Sequence, residues 1–185
     1  MIKYLSHLEI SEAVIDLIDL ENINHRFWQP DHYQQLELCR TYEEMADLAL
    51  TILDKMPQPV GMISGPISTG GFGMKNNLRI FSRAIEKISE KFTIFDQLPF
   101  EPKMCEIIVQ KNKKYDRNLL ERFYLPILRS GRIKILFFLP NWWQSKGSFW
   151  EHEKVKELGL GRFYLEWHHI GLEGRKLKKF LAKAV

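Results

Sequence analysis

Cysteine is scarce in this chain. Its 185 residues include two, Cys39 and Cys105. They form no CxxC pair and have no neighbouring His to complete a metal set, so neither a disulfide framework nor a structural zinc site is expected. A reducing, cytoplasmic setting suits such a chain. Long apolar runs are also missing. No stretch approaches the roughly 18 uninterrupted apolar residues that a membrane span requires, and no membrane partner is expected. The opening MIKYLSHLEISEAVIDLIDL carries acidic residues inside its apolar stretch and no small-residue cleavage site, which does not fit a signal peptide. Neither sign of charge dominates: 27 basic and 23 acidic residues leave +4. Arg175, Lys176, Lys178, Lys179 and Lys183 read as the solvated face of a last helix, so a nucleic-acid partner is not expected. There is no internal repeat, no GxGxxG, no GK[ST] and no HExxH, and no metal is predicted.

What is present is an ordinary globular balance, 45% hydrophobic and 27% charged. A chain of this size buries about 70% of its unfolded surface and needs no staples. Residues 1–57 read as a helical extension. Leu8, Ile10, Val14, Ile15, Leu17 and Ile18 suit one amphipathic helix. Thr41 with Glu44 has capping-box spacing, and Met45, Leu48, Ala49, Ile52 and Leu53 repeat at helical period until Pro57 and Pro59. The intervening His25–Pro30 stretch reads as a loop packed on the core.

From residue 58 the pattern becomes α/β. VGMIS, FTIF, IKILFFL and RFYLE read as strands, and CEIIVQ as a short strand or edge piece. Helices are expected from about Met74 to Lys91, from Asp116 to Leu128 with a bend near Pro126, up to Leu158, and from Glu173 to Ala184. Continuous apolar strands alternating with helices predict a parallel sheet covered on both faces.

In such a sheet, ligands bind outside the carboxyl ends of the strands. Two loops at that edge, Ser64–Gly73 and Pro140–Glu151, are the expected grip on a small nucleotide-like ligand. In the first, Gly65, Pro66, Ile67, Ser68, Thr69, Gly70 and Gly71 lead into a helix, where glycines admit a ligand close to the backbone and free N–H groups attract an anion. A flexible turn that only caps the helix is the alternative. In the second, Gly147 and Ser148 suit a sharp helix entry and place Glu151 in the first turn. An acid there satisfies the helix dipole. Beside Trp and Phe, after a buried strand, it can also act as a partly desolvated nucleophile on a sugar carbon.

Gly65-Pro66-Ile67, Asn77, Phe81, Asp116, Leu119-Leu120, Phe123-Tyr124-Leu125-Pro126-Ile127 and W-x-x-S-x-G-S-x-x-E (Trp142, Ser145, Gly147, Ser148, Glu151) resemble the nucleoside 2-deoxyribosyltransferase-like superfamily, and most of all its poorly characterised bacterial branch. The resemblance covers about residues 60–160. It implies a doubly wound, flavodoxin- or Rossmann-like parallel sheet of about five strands, and cleavage or exchange of the N-glycosidic bond of a nucleoside or nucleoside 5′-monophosphate. It implies no cofactor, and a homodimer or larger homo-oligomer. Glu151 corresponds to the nucleophile and Asp116 to the carboxylate that handles the proton on the departing base. Ser145 falls where phosphate-preferring members carry Ser, and Met62 falls near a position where many members carry Tyr. Trp142, Trp143 and Phe72 are candidates to stack on the base. A non-catalytic nucleotide-binding or sensor module would keep the same loops. A phosphoribohydrolase is a third reading, although SKGSFWE here departs from the PGGxGTxxE loop of that group.

Overall fold

The structure, a computed structural model, describes residues 26–68, 72–111 and 116–182. The amphipathic stretch Leu8–Ile18 therefore lies outside the described residues. Two helices precede the sheet, α1 (Pro30–Leu38) and α2 (Tyr42–Asp54). The box expected at the start of α2 is formed: Thr41 Oγ1 accepts from the Glu44 N–H at 3.2 Å, and Glu44 Oε2 accepts from the Thr41 N–H at 3.1 Å. Replacing Thr41 with alanine orphans a helix N–H. It is expected to cost about 1 kcal/mol, read as a lower urea midpoint at unchanged slope. Helix α1 lies just after the stretch read as a loop. It is capped differently, with the Gln29 N–H donating to His32 Nδ1 at 3.0 Å.

Four strands follow: β1 (Val60–Ser64), β2 (Thr93–Phe95), β3 (Ile133–Phe138) and β4 (Gly161–Tyr164). All pair in parallel in the order β2-β1-β3-β4. The sheet is thus parallel as expected, but it has four strands among the described residues, not about five. The missing one is CEIIVQ, which belongs to helix α4 (Glu101–Gln110). Its apolar run is too short to define a period, and Pro102 in the first turn presets a helical φ.

The connections complete the layers. Helix α3 (Gly73–Ser89) joins β1 to β2, and α4 leaves β2 through a 3₁₀ turn at Leu98–Phe100. The helix predicted to bend near Pro126 contains a π turn, Leu120–Tyr124, which runs into the short α5 (Leu125–Arg129). Pro126 lacks an N–H, and its ring crowds the carbonyl four residues earlier. The wider π turn, closed by the Leu125 N–H on the Leu120 carbonyl, accommodates it. After β3 comes a 3₁₀ turn at Trp142–Gln144, then α6 (Lys146–Glu157), and α7 (Gly174–Ala182) closes the chain. Arg175, Lys176, Lys178 and Lys179 are exposed on α7, the solvated face expected of them; Lys183 is outside the described residues.

Alternation along the strands divides the interior in two. Val60, Met62, Leu136 and Phe138 face one core with Met45, Ala49, Ile52 and Leu53 of α2, and with Phe123 and Val155. Ile63, Ile94 and Phe137 face the other core with Leu78, Phe81, Ala84 and Ile85 of α3. The described part of residues 1–57 thus packs into the first core. Central β1 is buried throughout, whereas β4 is an exposed edge. No described helix is long and apolar enough to cross a membrane.

Candidate active site

The strand order sets where a ligand can bind. From β1 the chain crosses to β2 on one side, then returns to β3 on the other. The crevice of a parallel sheet opens at such a switch point, outside the carboxyl ends of the strands. Here those ends are Ser64 and Phe138, and the Leu139 N–H donates to the Ser64 carbonyl at 2.8 Å, holding the two exits together. Gly65 is required there. A Cβ would lie 2.4 Å from Leu139 Cδ1 and 2.8 Å from its Cβ and Cγ, closer than atoms can pack.

Glu151 reaches this edge from α6. Ser145, not Gly147 or Ser148, is the N-cap: its Oγ accepts from the Ser148 N–H at 3.3 Å and the helix begins at Lys146. Glu151 consequently sits in the second turn, not the first as its spacing suggested. Dipole stabilisation fades within the first turn, so it does not account for an acid here. The side chain is 6% exposed, and Ser64 Oγ donates to its Oε2 at 2.5 Å. Burial pushes the Glu151 carboxyl up to about 7, against the Ser64 hydrogen bond, which favours the ionised form.

A second acid lies beside it. Glu101, in the first turn of α4, is 8% exposed. Burial first, and then the charge of Glu151, push its carboxyl up to about 7, while a hydrogen bond from Tyr124 pulls the other way. The Tyr124 phenol is itself buried, and burial together with the two carboxylates raises it well above its ordinary range. Nothing in the local sequence marks Glu101, which stands between Phe100 and Pro102 in a stretch that reads as loop. Adjacent parallel strands bring it in. Strand β2 ends next to β1, and Gln97 Nε2 donates to the Ile63 carbonyl at 2.7 Å, tying the exit of β2 to that of β1 just before α4 begins.

Ser145 and Ser148 are buried at the start of α6, and Ser148 Oγ has no protein partner among the described residues. Gln97 Oε1 is likewise buried and unpartnered there. A Cβ on Gly147 would meet only ordinary contacts, 3.7 Å from Ser145 Oγ and 3.8 Å from Leu120 Cδ2, so packing within the protein does not demand glycine. Trp142 stacks on His152, with ring centroids 4.4 Å apart, and packs against Phe138. Trp143 is 59% exposed, and Phe72 packs edge-on against Trp167 on the other core. In the first loop, Asn77 Nδ2 donates to the Ile67 carbonyl at 3.0 Å, which fixes the Gly65-Pro66-Ile67 turn. Ser68 is exposed; Thr69, Gly70 and Gly71 lie outside the described residues.

Asp116 is also buried. Its Oδ2 is 3.2 Å from Lys111 Nζ, its Oδ1 accepts from the Asn118 N–H at 3.1 Å, and its charge bears on Tyr42 of α2. The structure groups Glu151 with Glu101, Tyr124 and Ser64, and sets Asp116 with Lys111 and Tyr42. No group of three or more His, Cys, Asp or Glu side chains among the described residues is arranged to hold a metal. No family model, no curated protein and no solved structure matches the chain.

Proposed function

We propose that the chain cleaves or exchanges the N-glycosidic bond of a nucleoside or nucleoside 5′-monophosphate, with Glu151 as nucleophile. The observation that carries this reading is the placement of Glu151: a buried carboxylate at the switch point, held by Ser64 at 2.5 Å and pushed up to about 7. The Ser64 hydroxyl orients one carboxylate oxygen and leaves the other for a sugar carbon. Attack at C1′ forms a glycosyl ester with Glu151 and releases the base; water or a second base then opens the ester. At the start of α6, backbone N–H groups and the Ser145 and Ser148 hydroxyls supply donors for a 5′-phosphate, and Gly147 lets it come close. Trp143 offers an exposed ring for the base. Only the ionised nucleophile reacts, so base release is expected to rise with pH on the acid side of about 7.

The test is a panel of nucleosides and their 5′-monophosphates, with free base followed by chromatography. Release that Glu151→Ala abolishes, and that is faster for monophosphates, is the expected result. Tight nucleotide binding without base release, at high enzyme and long times, would leave a binding module in its place.

A further inference from the structure

Displacement by Glu151 leaves a proton to be supplied. A purine or pyrimidine departs from C1′ as a poor anion unless its nitrogen is protonated as the bond breaks. Resemblance assigns that task to Asp116, but Asp116 is held by Lys111 and the Asn118 N–H beside Tyr42. The buried acid grouped with Glu151 is Glu101. It comes from a different element, α4, at the exit of the strand next to β1. Tyr124 donates to it from the π turn, and single π turns inside helices recur at functional sites. Neither Glu101 nor Glu151 has an ion-pair partner among the described residues. Two carboxyls without a cation, close enough to repel, keep a proton between them near neutrality.

We propose that Glu101, with Tyr124 bonded to it, is the second catalytic carboxyl of the site: it gives its proton to the departing base and takes one from the water that follows. This rests on the glycosidic reading of Glu151. In the first step the Glu151 carboxylate bonds to C1′, the C1′–N bond breaks toward the base, and the Glu101 proton passes to that nitrogen. In the second, ionised Glu101 takes a proton from water, the water oxygen bonds to C1′, and the ester electrons return to Glu151. One water is consumed and Glu101 ends protonated, ready for another turnover. The ionisable groups facing Glu101 are Glu151 from α6, Tyr124 from the π turn and Cys105 one turn along α4. Burial and the Glu101 charge push the Cys105 thiol up to about 12, so it stays neutral throughout.

The whole protein, labelled with carboxyl ¹³C glutamate, is titrated by NMR as wild type, Glu151→Gln and Tyr124→Phe. Removing the Glu151 charge is expected to lower the Glu101 midpoint by about one pH unit. Removing the phenol is expected to raise the Glu101 midpoint, and this variant keeps the ring if Glu101→Gln does not fold. In the assay, Glu101→Gln is expected to slow base release about 10²–10⁴-fold in kcat with KM little changed. It should still form the glycosyl ester rapidly from a p-nitrophenyl glycoside, whose leaving group needs no proton, and formate should restore turnover. With wild-type release intact, an unmoved Glu101 midpoint in Glu151→Gln or equal loss on both substrates overturns the role of Glu101. No wild-type release, with the linked titration present, overturns the glycosidic reading instead.

Discussion

Glu151→Gln is expected to lose at least about 10³-fold in base release while the protein becomes more stable at pH 7.5. In the folded chain burial keeps the proton on Glu151 up to about 7, whereas the unfolded chain releases it near 4.5. Below about 4.5 the carboxyl is neutral in both states and ionisation costs nothing. Between 4.5 and 7 the unfolded chain ionises first, so the contribution of this residue to stability falls as pH rises, by up to about 1.4 kcal/mol per unit. Above 7 the full deficit remains. Glutamine does not ionise, and its amide can donate to Ser64 Oγ where the carboxylate accepted. The variant should therefore be more stable by on the order of 2–3 kcal/mol at pH 7.5, with no advantage at pH 4.5. Urea unfolding of both proteins at the two pH values measures it. An advantage equal at both would mean the carboxyl is not held protonated by the fold, and its use as a tuned nucleophile would lose its basis. Stability given up at Glu151 would fit its proposed role as nucleophile.

Glu151 was legible in the sequence because local spacing carries it. A buried strand, a Trp-rich turn and a glutamate just past a glycine at the helix entry need only chain order to be read. Thr41 with Glu44 was legible for the same reason. Even there the helix starts earlier than the glycine suggested, because Ser145 takes the cap and moves Glu151 inward by a turn. Glu101 was not legible. Its burial arises from β2 pairing beside β1 and from a tyrosine 23 positions away, neither of which leaves a local trace. Helix α1 escaped notice because it buries only His32 and Leu36 and is capped by Gln29 and His32 in place of a hydroxyl and an acid. CEIIVQ was ambiguous in period, and Pro102 decided it. Met62 on β1 is packed into the first core, and the phenol beside Glu101 comes from the π turn.

Phe123→Ala is expected to cost about 3–5 kcal/mol, the range for truncating a fully buried aromatic. Phe123 has no exposed surface. Its ring lies 5.0 Å from that of Phe100 and 4.9 Å, edge-on, from that of Tyr124. Phe100 in turn packs on Trp28 at 4.9 Å and on Phe95 at 6.4 Å, so one aromatic column runs from residue 28 through the exit of β2 to the π turn. The column ends on Glu101 and on its partner Tyr124: Phe100 immediately precedes Glu101, and Phe123 immediately precedes Tyr124. Loss of the ring should therefore act twice. Chemical denaturation should show the stability loss, with Phe123→Leu, which leaves a smaller cavity, losing less than half as much. Water entering the cavity should also weaken the desolvation that raises Glu101, moving its midpoint down toward the ordinary carboxyl range in the same ¹³C titration. A loss under about 1 kcal/mol would show that the column is not close-packed. A full stability loss with an unmoved Glu101 midpoint would show that the column supports the fold without positioning the acid.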